Sequence, residues 1–153
     1  MRLTSKTAYG VQAMFDLAFH GRDRAVQARE TAERQGIPLR YLEQILQDLR
    51  RAGLVEGKRG PGGGYALARP ASEVRLSDLV AALDGPVEEI LSWEDPAEKK
   101  KAANSADVPA LVWRELAGQV AGLFDGVSLQ DLVARAETLG VARAAGAPQM
   151  YFI

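Results

Sequence analysis

KRGPGGGYAL, residues 58–67, sets four glycines and one proline between two cationic residues and a tyrosine. Such a run can cradle a nucleotide's phosphates, turn a hairpin, or lie against a larger polyanion. A phosphate-binding Walker loop needs GxxxxGK followed by Ser or Thr. Here Gly53 and Gly57 are too close together, and Lys58 is followed by Arg59. A dinucleotide fingerprint must open a helix, whereas Tyr65, Ala66 and Leu67 after Gly64 carry the alternation of a strand. With Leu54 and Val55 starting a first strand, the glycine run becomes the turn of a two-stranded hairpin. Glycine permits positive φ and close approach of the backbone to a phosphate or groove wall, Pro61 stiffens the tip, and Lys58 and Arg59 supply charge. A merely flexible hairpin would use the same residues.

Three helices are expected before the hairpin. From Ser5 to Phe19, Ala8, Val11, Met14, Phe15 and Ala18 recur at helical spacing, with Thr4 and Ser5 as caps and Gly21 at the end. Gln27 to Gln35 forms a shorter helix closed by Gly36. A third begins around Pro38 and places Leu42, Ile45, Leu46 and Leu49 on one stripe before Gly53. Its other face shows Arg40, Tyr41, Glu43, Gln44, Gln47 and Arg51. Two helices joined by the tight QGIP turn, the second polar and partly cationic, make a helix-turn-helix candidate. With the hairpin behind it the order is that of a winged helix.

The net charge of -1 conceals a division. Residues 1–70 carry twelve Lys or Arg against seven Asp or Glu, a balance of +5, and residues 71–153 carry seven against thirteen, a balance of -6. The first half is suited to a polyanion. Cysteine is absent, which excludes disulfides, thiolate metal sites, cysteine nucleophiles and cysteine-ligated iron–sulfur clusters. No window reaches the roughly 18–20 uncharged apolar residues of a membrane span, and the N-terminus runs straight into a periodic helix, so a soluble cytoplasmic protein is expected. No GxSxG elbow occurs. The sole histidine, His20, falls at a helix end beside Gly21 and Arg22, where a solvated cap is expected, and no catalytic role is assigned to any residue.

In the second half, Leu76, Leu79, Val80 and Leu83 mark a short helix. Pro109 opens a longer one in which Val112, Leu116, Val120 and Leu123 recur, joined by Trp113 and Phe124. This stripe fits a partner helix in a homodimer, or packing within the chain. Ser128 and Asp131 resemble a capping pair for a last helix with Leu129, Leu132 and Val133.

Several motifs taken in order, MRLTSK at the start, ERQGIPLRYLEQIL at 33–46, LRRAGLV at 49–55 and RGPGGGYAL at 59–67, resemble the Rrf-two family of bacterial winged-helix regulators. Its members include the iron–sulfur and nitric-oxide sensors IscR and NsrR and the cysteine-metabolism repressor CymR. The likeness is close over the first 70 residues and looser beyond, through LSDLVAALDGPV, VWREL and VSLQDL. It implies a homodimer gripping double-stranded DNA at a palindromic operator, most simply as a repressor. By position, Arg2, Thr4 and Ser5 match phosphate contacts, Arg40, Tyr41, Glu43 and Gln44 the recognition face, and Arg59, Gly60 and Pro61 the wing, beside Lys58. Arg and Gln suit guanine and adenine edges, Glu suits cytosine N4, and hydroxyls suit phosphate oxygens.

The expected fold is therefore mainly α with a small two-stranded β wing. A winged helix-turn-helix domain over 1–84 precedes a sensory or linker loop over 85–107, then a dimerisation helix and C-terminal helix over 108–153. Cluster-bearing relatives carry three cysteines in the loop, and here positions near Trp93, Ala102 and Val108 have none. The resemblance thus implies a cluster-free member with no metal or other cofactor. Control by a small ligand walled by Trp93, Trp113 and Tyr9, by a protein partner, or by concentration alone all remain open. The rival reading is a protein-interaction module without DNA, using the dimer helix and the acidic half.

Overall fold

The computed structural model describes residues 3–92, 105 and 107–145. The elements run α1 (Ser5–His20), α2 (Ala28–Gln35), α3 (Leu39–Arg51), β1 (Val55–Lys58), β2 (Gly64–Leu67), a 3-10 turn (Ala71–Glu73), α4 (Leu76–Leu83), α5 (Val87–Leu91), α6 (Asp107–Asp125) and α7 (Leu129–Thr138). The fold is mainly α with one two-stranded antiparallel sheet, as the sequence predicts. Pro38 stands just outside α3, where its extended ψ ends the QGIP turn, and α6 begins two residues before Pro109. The 3-10 turn and α5 are too short to leave a periodic signal.

Local chemistry sets the ends. The Thr4 hydroxyl accepts from the Thr7 N–H at 3.2 Å, capping α1. Gly36 stops α2 at φ 65°, a left-handed conformation that returns its N–H to the Ala32 carbonyl. Ser128 and Asp131 do form the reciprocal capping box: the Asp131 N–H reaches the Ser128 hydroxyl at 3.2 Å, and the Ser128 N–H reaches the Asp131 carboxylate at 2.8 Å.

The core joins one face of each helix. Met14 and Leu17 of α1 meet Leu42, Ile45, Leu46 and Leu49 of α3, with Val26, Leu54, Val74 and Leu79 closing the sides. Truncating Leu42, Leu46 or Leu49 to alanine should cost about 2–5 kcal/mol, since each is fully enclosed. Gly10 lets α1 approach α4, because a Cβ there would stand 2.2 Å from a Leu83 methyl. The last helix folds back: Leu129 joins the main core, and Val133 and Ala136 pack on Phe19. Backbone bonds from Leu76 N to Val127 O and from Leu129 N to Val74 O, both 2.9 Å, fix the start of α7 beside the start of α4.

Two expectations need correction. His20 is not a solvated cap: its side chain is 8% exposed, lies edge-on to Phe19, and accepts the Ala144 N–H at Nδ1 over 2.8 Å. The returning segment after α7, invisible to local pattern, is what covers it. Val120 and Phe124 do not lie on an uncovered stripe; both pack inside the chain on the cluster of Val80, Val87 and Ala121. Among the described residues, no helix is long and apolar enough to cross a membrane.

Candidate nucleic-acid interface

The helix-turn-helix is fixed by a buried ionic cluster. Asp16 of α1 is fully enclosed, and its carboxylate accepts from Thr31 at 2.8 Å, from Arg34 Nε and Nη2 at 2.9 and 2.8 Å, and from Gln35 at 3.0 Å. Thr31, Arg34 and Gln35 sit at steps of three and one on α2, so they present one face. Arg24 forks onto Glu30 at 3.0 and 2.9 Å, holding the turn before α2. With α2 set against α1, the turn at Gly36 directs α3 outward.

On α3, burial of Leu42, Ile45, Leu46 and Leu49 forces Arg40, Glu43, Gln44 and Gln47 to the exposed side. Tyr41 is half-buried, its ring edge-on to Tyr9 with centroids 5.7 Å apart. Tyr9 is thereby engaged in the helical core, Trp113 stands exposed on α6, and Trp93 and Ala102 lie outside the described residues. The expected ligand walls therefore gain no support from Tyr9.

The wing joins α3 through the Leu54 N–H, which donates to the Leu49 carbonyl at 3.0 Å. Its strands pair Val55 with Leu67 through Lys58 with Gly64. The tip is a turn closed by the Gly63 N–H on the Gly60 carbonyl at 2.8 Å, with Pro61 next and Gly62 at φ 73°. Proline second and a positive-φ glycine third are what a type II turn requires. Lys58, Arg59, Gly60 and Pro61 are all exposed. On its other edge β2 bridges the segment before α2: Val26 N to Tyr65 O is 2.9 Å and Tyr65 N to Val26 O is 2.7 Å. This third edge was missed by the sequence reading because a single residue contributes it.

The head of α1 lies under a different constraint. Ser5 is exposed and Arg2 lies outside the described residues. Thr4 donates its hydroxyl to the two oxygens of Asp84 at 2.8 and 2.7 Å, and the Thr7 hydroxyl donates to Asp84 as well. Burial opposes ionisation of Asp84, but the bonds from Thr7 and Thr4 and the charge of Lys6 outweigh it and hold its pKa below the usual carboxylate value. Lys6 itself reaches Asp48 of α3 at 2.7 Å.

On α6, Ala117 and Ala121 are buried and Val120 and Phe124 half-buried, all on one face. The first half of the helix is largely uncovered: Val108, Leu111, Val112, Trp113 and Leu116 are each 43–55% exposed; further along, on the outward side, Leu123 is 73% exposed. Trp113 continues the inward row of Ala117, Val120 and Phe124 at steps of four, three and four, but the row runs off the end of the chain's own core.

Comparison with known proteins agrees with this geometry. The Rrf2 family model, an iron-dependent transcriptional regulator, matches residues 3–135. The chain is 39% identical over 144 residues to the HTH-type transcriptional regulator IscR of Photorhabdus laumondii, covering 93% of this chain and 85% of that protein. Among solved structures, T. potens IscR superposes with a TM-score of 0.75 at 34% identity, covering 94% of each chain. CymR, the global cysteine regulator of B. subtilis, gives 0.74 at 26% identity over 88% of this chain and 98% of that one.

Proposed function

The chain belongs to the Rrf2 family of DNA-binding transcriptional regulators and is not an enzyme, and we propose that it acts as a homodimeric, cluster-free repressor on a palindromic operator. The observation that supports this is an exposed polar face on α3, with Arg40, Glu43 and Gln44, in a helix joined through Leu54 to a wing whose tip exposes Lys58 and Arg59. In this reading α3 enters a major groove with Arg40, Glu43 and Gln44 toward base edges, and Tyr41 is positioned by Tyr9 at its rim. The wing, with Gly60 and Pro61 at its tip, follows the backbone or the adjacent minor groove, while Ser5 and Arg2 meet phosphates.

The uncovered apolar side chains of α6 support the homodimer. The exposed apolar row of Val108, Leu111, Val112, Trp113 and Leu116 calls for burial, and a second copy would supply a matching surface under two-fold symmetry. Val112, Trp113, Leu116 and Leu123 form that interface, while Val120 and Phe124 support it from within. The interaction-module rival would use the same α6 surface, but it leaves the basic half and the wing without a purpose.

An iron–sulfur cluster does not fit this donor set. The chain has no cysteine, and its one imidazole is engaged with Ala144 at the far end of α1.

Fluorescence anisotropy on a duplex from upstream of the chain's own gene, against a scrambled duplex over a salt series, tests this. Selective binding that weakens steeply with salt is expected. Absence of binding to either duplex at low salt would remove the DNA reading.

A further inference from the structure

Asp84 is the last residue of the helical domain before the chain turns, at Gly85 with φ 94°, into α5 and the α6 arm. A carboxylate at the C-terminal end of its own helix, α4, stands where the dipole disfavours it. It stands equally at the N-terminal end of α1, where the dipole and the first-turn donors favour an anion. There it takes the hydroxyls of Thr4 and Thr7, three residues apart on one face and about eighty residues away in sequence. The Thr4 hydroxyl has one proton, which goes to Asp84, and its oxygen accepts from the Thr7 N–H. Thr4 therefore has no proton left to donate to a phosphate, and the role assigned to it by position changes from contact to support.

We infer that Asp84 is a positioning residue for DNA binding: its carboxylate holds Thr4 and Thr7 and so orients the head of α1, leaving Ser5 and the segment before it to face phosphates. Lys6, paired with Asp48 of α3 at 2.7 Å, ties the same turn to that helix. The head of α1 is thus tied both to α3 and to the point where the arm departs. Movement of the arm that shifts the end of α4 reaches the DNA-contacting turn through one carboxylate. The inference rests on the DNA-binding reading above.

A competing effect makes it testable. If Asp84 acted only through its charge, it would repel phosphates, and neutralising it would tighten binding. The full-length Asp84→Asn, Thr7→Val and Thr7→Ser variants and the Asp84→Asn/Thr7→Val double variant would be titrated against the upstream and scrambled duplexes at several salt concentrations. Asp84→Asn and Thr7→Val should each weaken binding about five- to tenfold, the worth of one such hydrogen bond. Each should also make the salt slope shallower by about one, as loss of a phosphate contact does. Thr7→Ser should keep wild-type affinity, and the double variant should be no worse than either single one. A lower melting temperature alone would leave the slope unchanged. Tighter binding by Asp84→Asn, or unchanged affinity and slope in both single variants, overturns the inference. Should Asp84→Asn fail to fold, Thr7→Val against Thr7→Ser decides alone. If the wild-type chain bound neither duplex, the DNA reading would fall first; a binding wild type with unaltered variants would remove only the role of Asp84.

Discussion

The fully buried carboxylate of Asp16 meets the guanidinium of Arg34 fork to fork, at 2.9 and 2.8 Å, across the α1–α2 contact. With Thr31 and Gln35 it has four donors, so the charge is enclosed without being orphaned. Asp16→Ala should destabilise the fold by about 3–5 kcal/mol, because it strands the Arg34 charge and two further donors. Burial raises the Asp16 pKa, but the bonds from Arg34, Gln35 and Thr31 and the Arg34 charge outweigh it, and the net shift is downward from 3.8. A depressed carboxylate contributes stability that is present above its unfolded value and lost as pH falls through the folded one. Urea unfolding of the wild type should therefore weaken below about pH 3.8 more steeply than that of Asp16→Asn. A cost under about 1 kcal/mol for the alanine variant would contradict this account of the cluster.

The wing glycines separate two physical demands. Gly62, at φ 73°, has open space around it, so Gly62→Ala meets only left-handed strain, about 1–2 kcal/mol. A Cβ on Gly64 would stand 2.4 Å from the Val26 carbonyl oxygen, inside the backbone bridge to β2. Gly64→Ala should cost more, about 2–4 kcal/mol, because backbone cannot give way as a side chain does. Denaturation of both variants checks the order. Equal costs would mean that the bridge yields freely.

What the sequence made legible was local. The helix faces, the Gly36 stop, the Ser128–Asp131 box and the hairpin turn over the wing glycines all follow from residues within a turn or two of one another. The hidden parts are pairings across the chain: Asp84 with Thr4, His20 with Ala144, and α7 with Phe19. Asp16 reads as one more polar position on α1 until α2 is laid against it. The α6 stripe misled for a different reason. Val112, Leu116, Val120 and Leu123 share a spacing, yet Val120 alone of the four packs inward while the others are exposed, and spacing alone does not say which side meets the core.

His20 should make stability depend on pH near neutrality. Burial lowers its pKa, the Asp16 charge opposes this, and Arg34, Arg143 and Arg24 add to the lowering, for a net shift below 6.5. Protonation at Nδ1 would also abolish acceptance of the Ala144 N–H. The unfolded chain then binds a proton that the folded one refuses, so stability falls as pH drops below about 6.5 and is complete above it. The slope can reach at most about 1.4 kcal/mol per pH unit. Chemical denaturation of the wild type and His20→Gln between about pH 5 and 7.5 should show this slope in the wild type alone. Parallel curves would assign the dependence to other groups.

The two halves of α6 predict opposite outcomes for substitutions of similar size. Leu116 is 43% exposed on the bare half, so Leu116→Glu should leave monomer folding within about 0.5 kcal/mol of wild type. It should weaken self-association about 100-fold or more, since the proposed interface would then have to bury a charge. Phe124, packed on Val80 and Val87 within the chain, should behave inversely. Phe124→Ala removes core contacts at a cost of about 2–4 kcal/mol, slightly less than a fully enclosed phenylalanine, while a folded variant retains association. Sedimentation equilibrium with parallel melts distinguishes the two. Under the proposed dimeric reading of two half-sites, Leu116→Glu should also lose selectivity between upstream and scrambled duplexes while retaining salt-dependent binding to both. A Leu116→Glu protein that stays dimeric would place the self-association surface elsewhere and leave the bare half of α6 to a different partner.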